Sequence, residues 1–544
     1  MSFGQAAVSA EVGGQTAGEA RGQARVSRGG RLALGLVGLW AVASVLTLLP
    51  GALVLSRHEG DAMHLAAMVL RMAEGQWPHL DYMTPIGVLA VAPIAGLVAL
   101  GLGLGQAFIW AQILIAAALL PMVWWVAMSR FRGGVLGVAF GALVIGMVMA
   151  FVHGGTVQSI SISMHYNRWA WAVAFLVMAL ILLPPNGRKA PRIEGAFIGV
   201  ALAALALTKV TYAVALVPAV VLALALRRDW AGLIWGVGAG LAALALVTLW
   251  AGFGFWTAYV ADLLSVATSD TRPTPGRSLS DVLVSPQHIA GTLIGLGAIV
   301  LLRRSGRARE GVILAALLPG LVLITWQNFG NDAQWLAALA LVLLVLRPAA
   351  EGTGYIIVAT AALALSVGWM MNMAVSPLRV AGTDVAASGP MFPEAGAHAD
   401  FRLVQKRLDK VTVEAAHPSF TDAPDAPDWG AALPDCDLVS GGVRLFQAIA
   451  AELTAAGFAG RQVLVADTFQ SFWLLGDFPA LPGGTPWYYG GLPGGAAAEI
   501  VVVPLCPIND KARARVLDAV DAARWQLTER FRGTHVSVLE IARP

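Results

Sequence analysis

Eleven long apolar runs separated by short polar stretches fill the first two thirds of the chain, near 32–54, 106–128, 134–152, 169–184, 193–208, 211–226, 231–253, 287–302, 311–326, 333–346 and 354–375. A helix rises about 1.5 Å per residue and a bilayer's hydrocarbon core is about 30 Å thick, so runs of this kind read as membrane spans. A twelfth apolar run, TPIGVLAVAPIAGLVALGLGL at 84–104, carries two prolines and several glycines. After about Ser376 the pattern changes period. QVLVAD (462–467), AEIVVVPL (498–505) and HVSVLEIA (535–542) alternate as strands do, while Arg444–Ala456 and Asp510–Leu527 have the spacing of amphipathic helices. The stretches 384–400 and 416–437 read as irregular.

The pattern predicts a polytopic α-helical membrane protein of about eleven spans plus re-entrant juxtamembrane helices, followed by a small C-terminal α/β domain. Residues 1–31 form a disordered tail, 32–375 the membrane domain and 376–544 the terminal domain. The run Leu32–Leu55 is longer than a signal-peptide core and has no small-residue cleavage site, so it reads as an uncleaved anchor.

Composition narrows the class. Of 544 residues 57% are hydrophobic and only 13% charged, with a mean hydropathy of +0.70. Soluble domains carry about 25% charged residues, so a single water-soluble globule is excluded. A net charge of +3 and a pI near 9.0 raise nucleic acid as a partner. The basic residues form short clusters between apolar runs instead of one face, which excludes it and makes them a topology signal. The clusters are Arg21, Arg25, Arg28 and Arg31; Arg130 and Arg132; Arg188, Lys189 and Arg192; Arg227 and Arg228; Arg303, Arg304, Arg307 and Arg309; and Arg347. All fall on one side if 84–104 does not cross, and cytoplasmic loops hold the excess of Lys and Arg. This threading makes the chain a multi-pass protein of a bacterial inner membrane, with a cytoplasmic N-terminus. The loop 55–83, the loop 153–168, the loop 254–286 and everything after about Val375 become periplasmic, and 84–104 becomes a re-entrant element. Cys436 and Cys506 then lie in an oxidising compartment, so a disulfide between them is expected, with two unpaired thiols as the alternative.

The loop RHEGDAMHLAAMVLRMAEGQWPHLDYMTPIGVL (57–89) is the richest in chemistry. Glu59 and Asp61 follow directly on the first span, an amphipathic helix runs over about 61–74, and Asp81 follows in EGQWPHLDY. Carboxylates desolvated at a membrane face suit proton abstraction. Helix capping is the bland alternative for Glu59 and Asp61, and turn formation for Asp81. His58, His64 and His79 match no compact metal-ligand spacing.

The acid pair after the first span, the helix ending in AEGQWP, and the element Asp81-Tyr82-x-x-Pro85-x-Gly87 together resemble the first periplasmic loop of the GT-C superfamily. These integral-membrane glycosyltransferases use polyprenyl-phosphate sugars; the protein O-mannosyltransferases and the aminoarabinose transferase of lipid A are examples. YNRWAW (166–171) and LTKVTYA (207–213) are further echoes. Relatives usually carry adjacent acids, whereas this chain has His58-Glu59-Gly60-Asp61, and 153–168 lacks the acid that many relatives carry there.

The resemblance implies an inverting transfer of a sugar from a polyprenyl-phosphate donor to a glycan, lipid or protein acceptor. Asp61, with Glu59 second, would be the general base. Lys209, Arg168 and Arg57 would face the lipid phosphate, and His58, His64, Asp81, Tyr82 and Tyr166 would line the substrate site. No metal is assigned; a divalent ion stays an alternative cofactor. Snorkelling is the alternative for Lys209, and an aromatic belt for the surroundings of Arg168. The polar turn with Asn328, Asn331 and Asp332 reads as solvated. The loop 254–286, with Asp262, Asp270, Arg272 and Arg277, is long enough to fold over a substrate cavity. Competing functions are a lipid or solute transporter or flippase, a surface-polysaccharide polymerase or ligase, and a non-catalytic scaffold.

Overall fold

The structure, a computed structural model, describes residues 28–543 except 188, 270, 272–277, 279, 281–283, 328–331, 351, 393–395, 416–432 and 435. Each of the eleven apolar runs is a helix. In chain order with their neighbours these helices are α1 (Arg28–Leu48), α2 (Glu59–Ala73), α3 (Ala92–Ala99), α4 (Leu104–Ser129), α5 (Val135–Met149), α6 (His165–Leu182), α7 (Pro191–Thr208), α8 (Val210–Leu226), α9 (Trp230–Ala251), α10 (Gly254–Ala267), α11 (Pro286–Arg304), α12 (Ala308–Trp326), α13 (Trp335–Leu346) and α14 (Thr353–Ala381). Eight of them (α1, α4, α6, α7, α9, α11, α12 and α14) are long and apolar enough to cross a membrane, and α5, α8 and α13 are shorter apolar helices.

Several boundaries differ from expectation. The first run does not continue to Leu55: α1 ends before Pro50 and Gly51 (φ 68°), and Leu53–Leu55 is a strand, β1. Proline cannot continue the helix and glycine takes the left-handed turn. The loop 254–286 begins with a helix, α10.

Loop contacts sort the helix ends into two sets. At one end Trp124 donates to the Gly29 carbonyl, Arg130 pairs with Glu194 at 2.6 Å, and Ser305 bonds Tyr355. At the other end Ser56 bonds Ile160, His79 bonds Asp262, and Asp332 accepts the Gly155 N–H. Segment 84–104 leaves and rejoins this second end. Its helix α3 has eight residues, about 12 Å of rise, and the Gln106 N–H at the start of α4 meets the Asp400 carboxylate at 2.6 Å, one residue before the strand that pairs with β1.

Close helix packing comes from small residues. A side chain on Gly195 or Gly199 of α7 would collide with the backbone of Gly232 or Gly236 of α9, so these two helices touch along a glycine seam spaced by four. The rest of α9 exposes Leu241, Leu246, Leu249 and Trp250, as a lipid-facing helix does.

The chain after α14 returns to the second end. β2 (Ser388–Pro390) and β3 (Phe401–Val404) join β1 in a sheet of order β1-β3-β2, with β1 parallel to β3. Part of the 384–400 stretch is therefore strand. Then come β4 (Thr412–Ala415), β5 (Cys436–Ser440), α15 (Gly442–Ala455), β6 (Val463–Val465), β7 (Ile500–Pro504), α16 (Asp510–Ala522), β8 (Gln526–Arg532) and β9 (Val536–Ala542), with a sheet of order β6-β7-β9-β8. The helix expected over Asp510–Leu527 stops at Ala522, and its tail opens β8, whose alternate residues are exposed. Cys436 and Cys506 form a disulfide. Most of 416–437 lies outside the described residues. Asp467, buried behind β6, accepts the Ile508 and Asn509 N–H groups and so ties β6 to the start of α16.

Candidate active site

The site forms where the N-termini of α2 and α6 meet the loop 150–164. Each helix starts from a residue in the left-handed region, His58 (φ 61°) before α2 and Met164 (φ 54°) before α6. Such conformations cost about 1–3 kcal/mol in non-glycine residues and persist where the surroundings impose them. Here they turn both helix starts toward one polar cluster.

Asp61 lies in the first turn of α2, where the helix dipole favours a carboxylate. It does not cap the helix, which begins two residues earlier. The Ser163 hydroxyl donates to Asp61 Oδ2. Ser163 Oγ also lies 2.9 Å from His153 Nδ1, and the Ser163 N–H donates to Ser161 Oγ at 3.1 Å. Ser161 in turn lies 3.0 Å from His58 Nδ1. The His58 and His153 rings close the cluster, with centroids 4.5 Å apart. Burial pushes both imidazoles below their ordinary value against the opposing pull of Asp61, His153 down to about 4.

Arg168, one turn into α6, is 1% exposed. Its Nη1 donates to the carbonyls of Val152 and Ser163. Its Nε and Nη2 have no hydrogen-bond partner, and no carboxylate pairs with it, among the described residues. A buried guanidinium in that state is costly without an anion. Ser163 thus touches the acid with its side chain and the cation with its carbonyl. Lys209 sits at the break between α7 and α8, its Nζ 5.5 Å from the centre of the Tyr166 ring at the start of α6.

Other residues singled out in the sequence make different contacts. Glu59 is paired with Arg407 of the terminal region at 3.1 Å. His64 is buried beneath Trp487 of the terminal domain, ring centres 5.3 Å apart. Asp81 accepts the Trp77 N–H and closes a turn at the surface, and the buried Tyr82 donates to the Met68 carbonyl under Arg71. Arg57 is exposed. Asp262 of α10 accepts the Thr84 N–H at 3.0 Å and meets His79 at 2.8 Å, fixing the 79–84 turn. Asp332, expected in a solvated turn, is shielded, and burial raises its pKa. Asn328, Asn331, Asp270, Arg272 and Arg277 lie outside the described residues. The end of α10 lines a cleft of about 430 Å³ with Tyr488, Tyr489 and Arg515 of the terminal domain.

Compared with protein-family models, curated proteins and solved structures, the chain matches none. Among the described residues, no three His, Cys, Asp or Glu side chains gather as a metal site.

His153, Ser161 and Ser163 are not among the residues expected from the sequence, because 153–168 holds no acid to mark it. The alternation Ser159-Ile160-Ser161-Ile162-Ser163 is a usable signal, because in extended chain it sends successive hydroxyls to one face.

Proposed function

We propose that the protein is an inverting membrane glycosyltransferase that takes a sugar from a polyprenyl-phosphate donor, with Asp61 as general base. The observation that carries the reading is one residue, Ser163, engaging both a carboxylate and a buried arginine whose remaining nitrogens are unpartnered. Asp61 takes the proton of the acceptor hydroxyl as the new bond from that oxygen to the sugar's anomeric carbon forms. The bond from the anomeric carbon to the phosphate oxygen breaks, and its electron pair leaves with the lipid phosphate. The Arg168 fork and Lys209 offset that charge. Glu59, held by Arg407, is not the base in this scheme.

On this reading the eleven apolar helices all cross, α3 and its flanks are re-entrant, and the end that carries Asp61 and the terminal domain faces the periplasm. The distribution of basic clusters supports that orientation. The resemblance of the first loop to GT-C enzymes supports the choice of donor.

The test supplies membranes containing the full chain with a panel of polyprenyl phosphates bearing labelled hexoses and pentoses. Wild-type protein transfers label from at least one donor, and Asp61→Asn transfers it at least about 100-fold more slowly. Equal rates in the two proteins overturn the proposal.

A further inference from the structure

The geometry points to His153 as a positioning residue that acts through Ser163: a one-way donor chain, His153 Nδ1–H to Ser163 Oγ–H to Asp61 Oδ2, holds the base in a single orientation. The inference rests on the proposed role of Asp61 and adds two residues to it.

Donor counting gives the direction. An ionised carboxylate only accepts, so the single hydroxyl hydrogen of Ser163 is given to Asp61. The Ser163 oxygen then has only lone pairs to offer His153, 2.9 Å away, so His153 must carry its proton on Nδ1. The ring is neutral at pH 7, because burial pushes it down to about 4 despite the nearby Asp61; His58 and Arg168 press in the same direction. Oδ1 of Asp61 has no hydrogen-bond partner among the described residues. The chain thus occupies one carboxylate oxygen and leaves the other for the acceptor. Ser163 itself is pinned by its N–H bond to Ser161 and by the bond from Arg168 to its carbonyl, so the hydroxyl has little freedom to turn away. Groups set by a supporting layer of hydrogen bonds reach productive geometry without paying to reorganise.

Two measurements test this on the full chain in lipid bilayers. The first is solid-state NMR with ¹⁵N-labelled histidine, His153 being assigned by its loss in His153→Asn. Wild type shows the Nδ1–H tautomer, and Ser163→Ala returns the ring to the Nε2–H form that free imidazole side chains favour. An Nε2–H tautomer in the wild type overturns the inference. The second is transfer from the active donor found in the panel above. His153→Leu and Ser163→Ala each lower kcat about 10- to 100-fold with acceptor KM within about twofold. The double variant is no slower than the slower single one, because both break one chain. His153→Asn, whose amide nitrogen takes the place of Nδ1, and Ser163→Thr recover most of the rate.

Multiplicative losses, or unchanged rates in the single variants while Asp61→Asn is inactive, overturn this inference and leave the proposed base standing. A fully active Asp61→Asn removes both.

Discussion

Burial works on His153 against its own charge, and this sets how stability responds to acid. Its folded pKa, about 4, lies below the unfolded value near 6.5, so between them the unfolded chain binds more protons. Stability is therefore complete above about pH 6.5 and falls as the pH drops toward 4, by up to about 3 kcal/mol at 1.36 kcal/mol per unit. Thermal melting of His153→Gln should lack that share of the acid slope. The variant comparison cancels Asp467, which burial pushes up to about 7 and whose contribution runs the other way. At Arg168 the fork matters as well as the charge. Arg168→Lys keeps one cation but cannot offer two parallel donors, so transfer should slow about 10- to 100-fold while the melting temperature moves little. Among these residues the sequence made Asp61 and Arg168 legible, because a carboxylate after a span and an arginine at the start of one are costly placements. It could not show that Ser163 joins them, since that pairing spans about a hundred positions and depends on two left-handed helix starts.

At the level of elements, apolar length was a reliable signal, and all eleven long runs are helices. Errors fell where length gave no information. Three apolar residues after Pro50-Gly51 look like more helix but pair as β1 with a strand almost 350 positions away. Gln526 and Leu527 have the spacing of the end of an amphipathic helix, yet they open the polar edge strand β8. The glycine seam between α7 and α9 is the element contact most exposed to substitution. Leucine at Gly199 has no room against the Gly236 carbonyl, so Gly199→Leu should cost about 1–3 kcal/mol by overpacking. Melting in detergent micelles checks this; an unchanged midpoint would mean that the two helices do not touch along that seam.

At the scale of the whole molecule the terminal domain docks on the 53–83 segment that carries Asp61. β1 pairs with β3, Met83 and Gly483 exchange backbone bonds with Gly484 and Asp81, Arg71 donates to the Leu481 carbonyl, and Trp487 covers His64. The sequence announced a separate domain but not this docking, because the hydrogen bonds are largely main-chain and leave no side-chain pattern. The Cys436–Cys506 bond closes a loop of 70 residues inside that domain. Cys436→Ser with Cys506→Ser should lower its stability by about 2–4 kcal/mol, read as faster proteolysis of the terminal domain. The reading turns on Asp61 and Arg168, joined through Ser163, acting on one lipid-borne phosphate and its sugar. Its most direct test is a cryo-electron microscopy structure of the full chain in nanodiscs with decaprenyl phosphate. Phosphate density is expected within hydrogen-bond reach of Arg168 Nε and Nη2, on the Asp61 side of Ser163. Lipid phosphate bound elsewhere, with Arg168 Nε and Nη2 facing only protein, would contradict it.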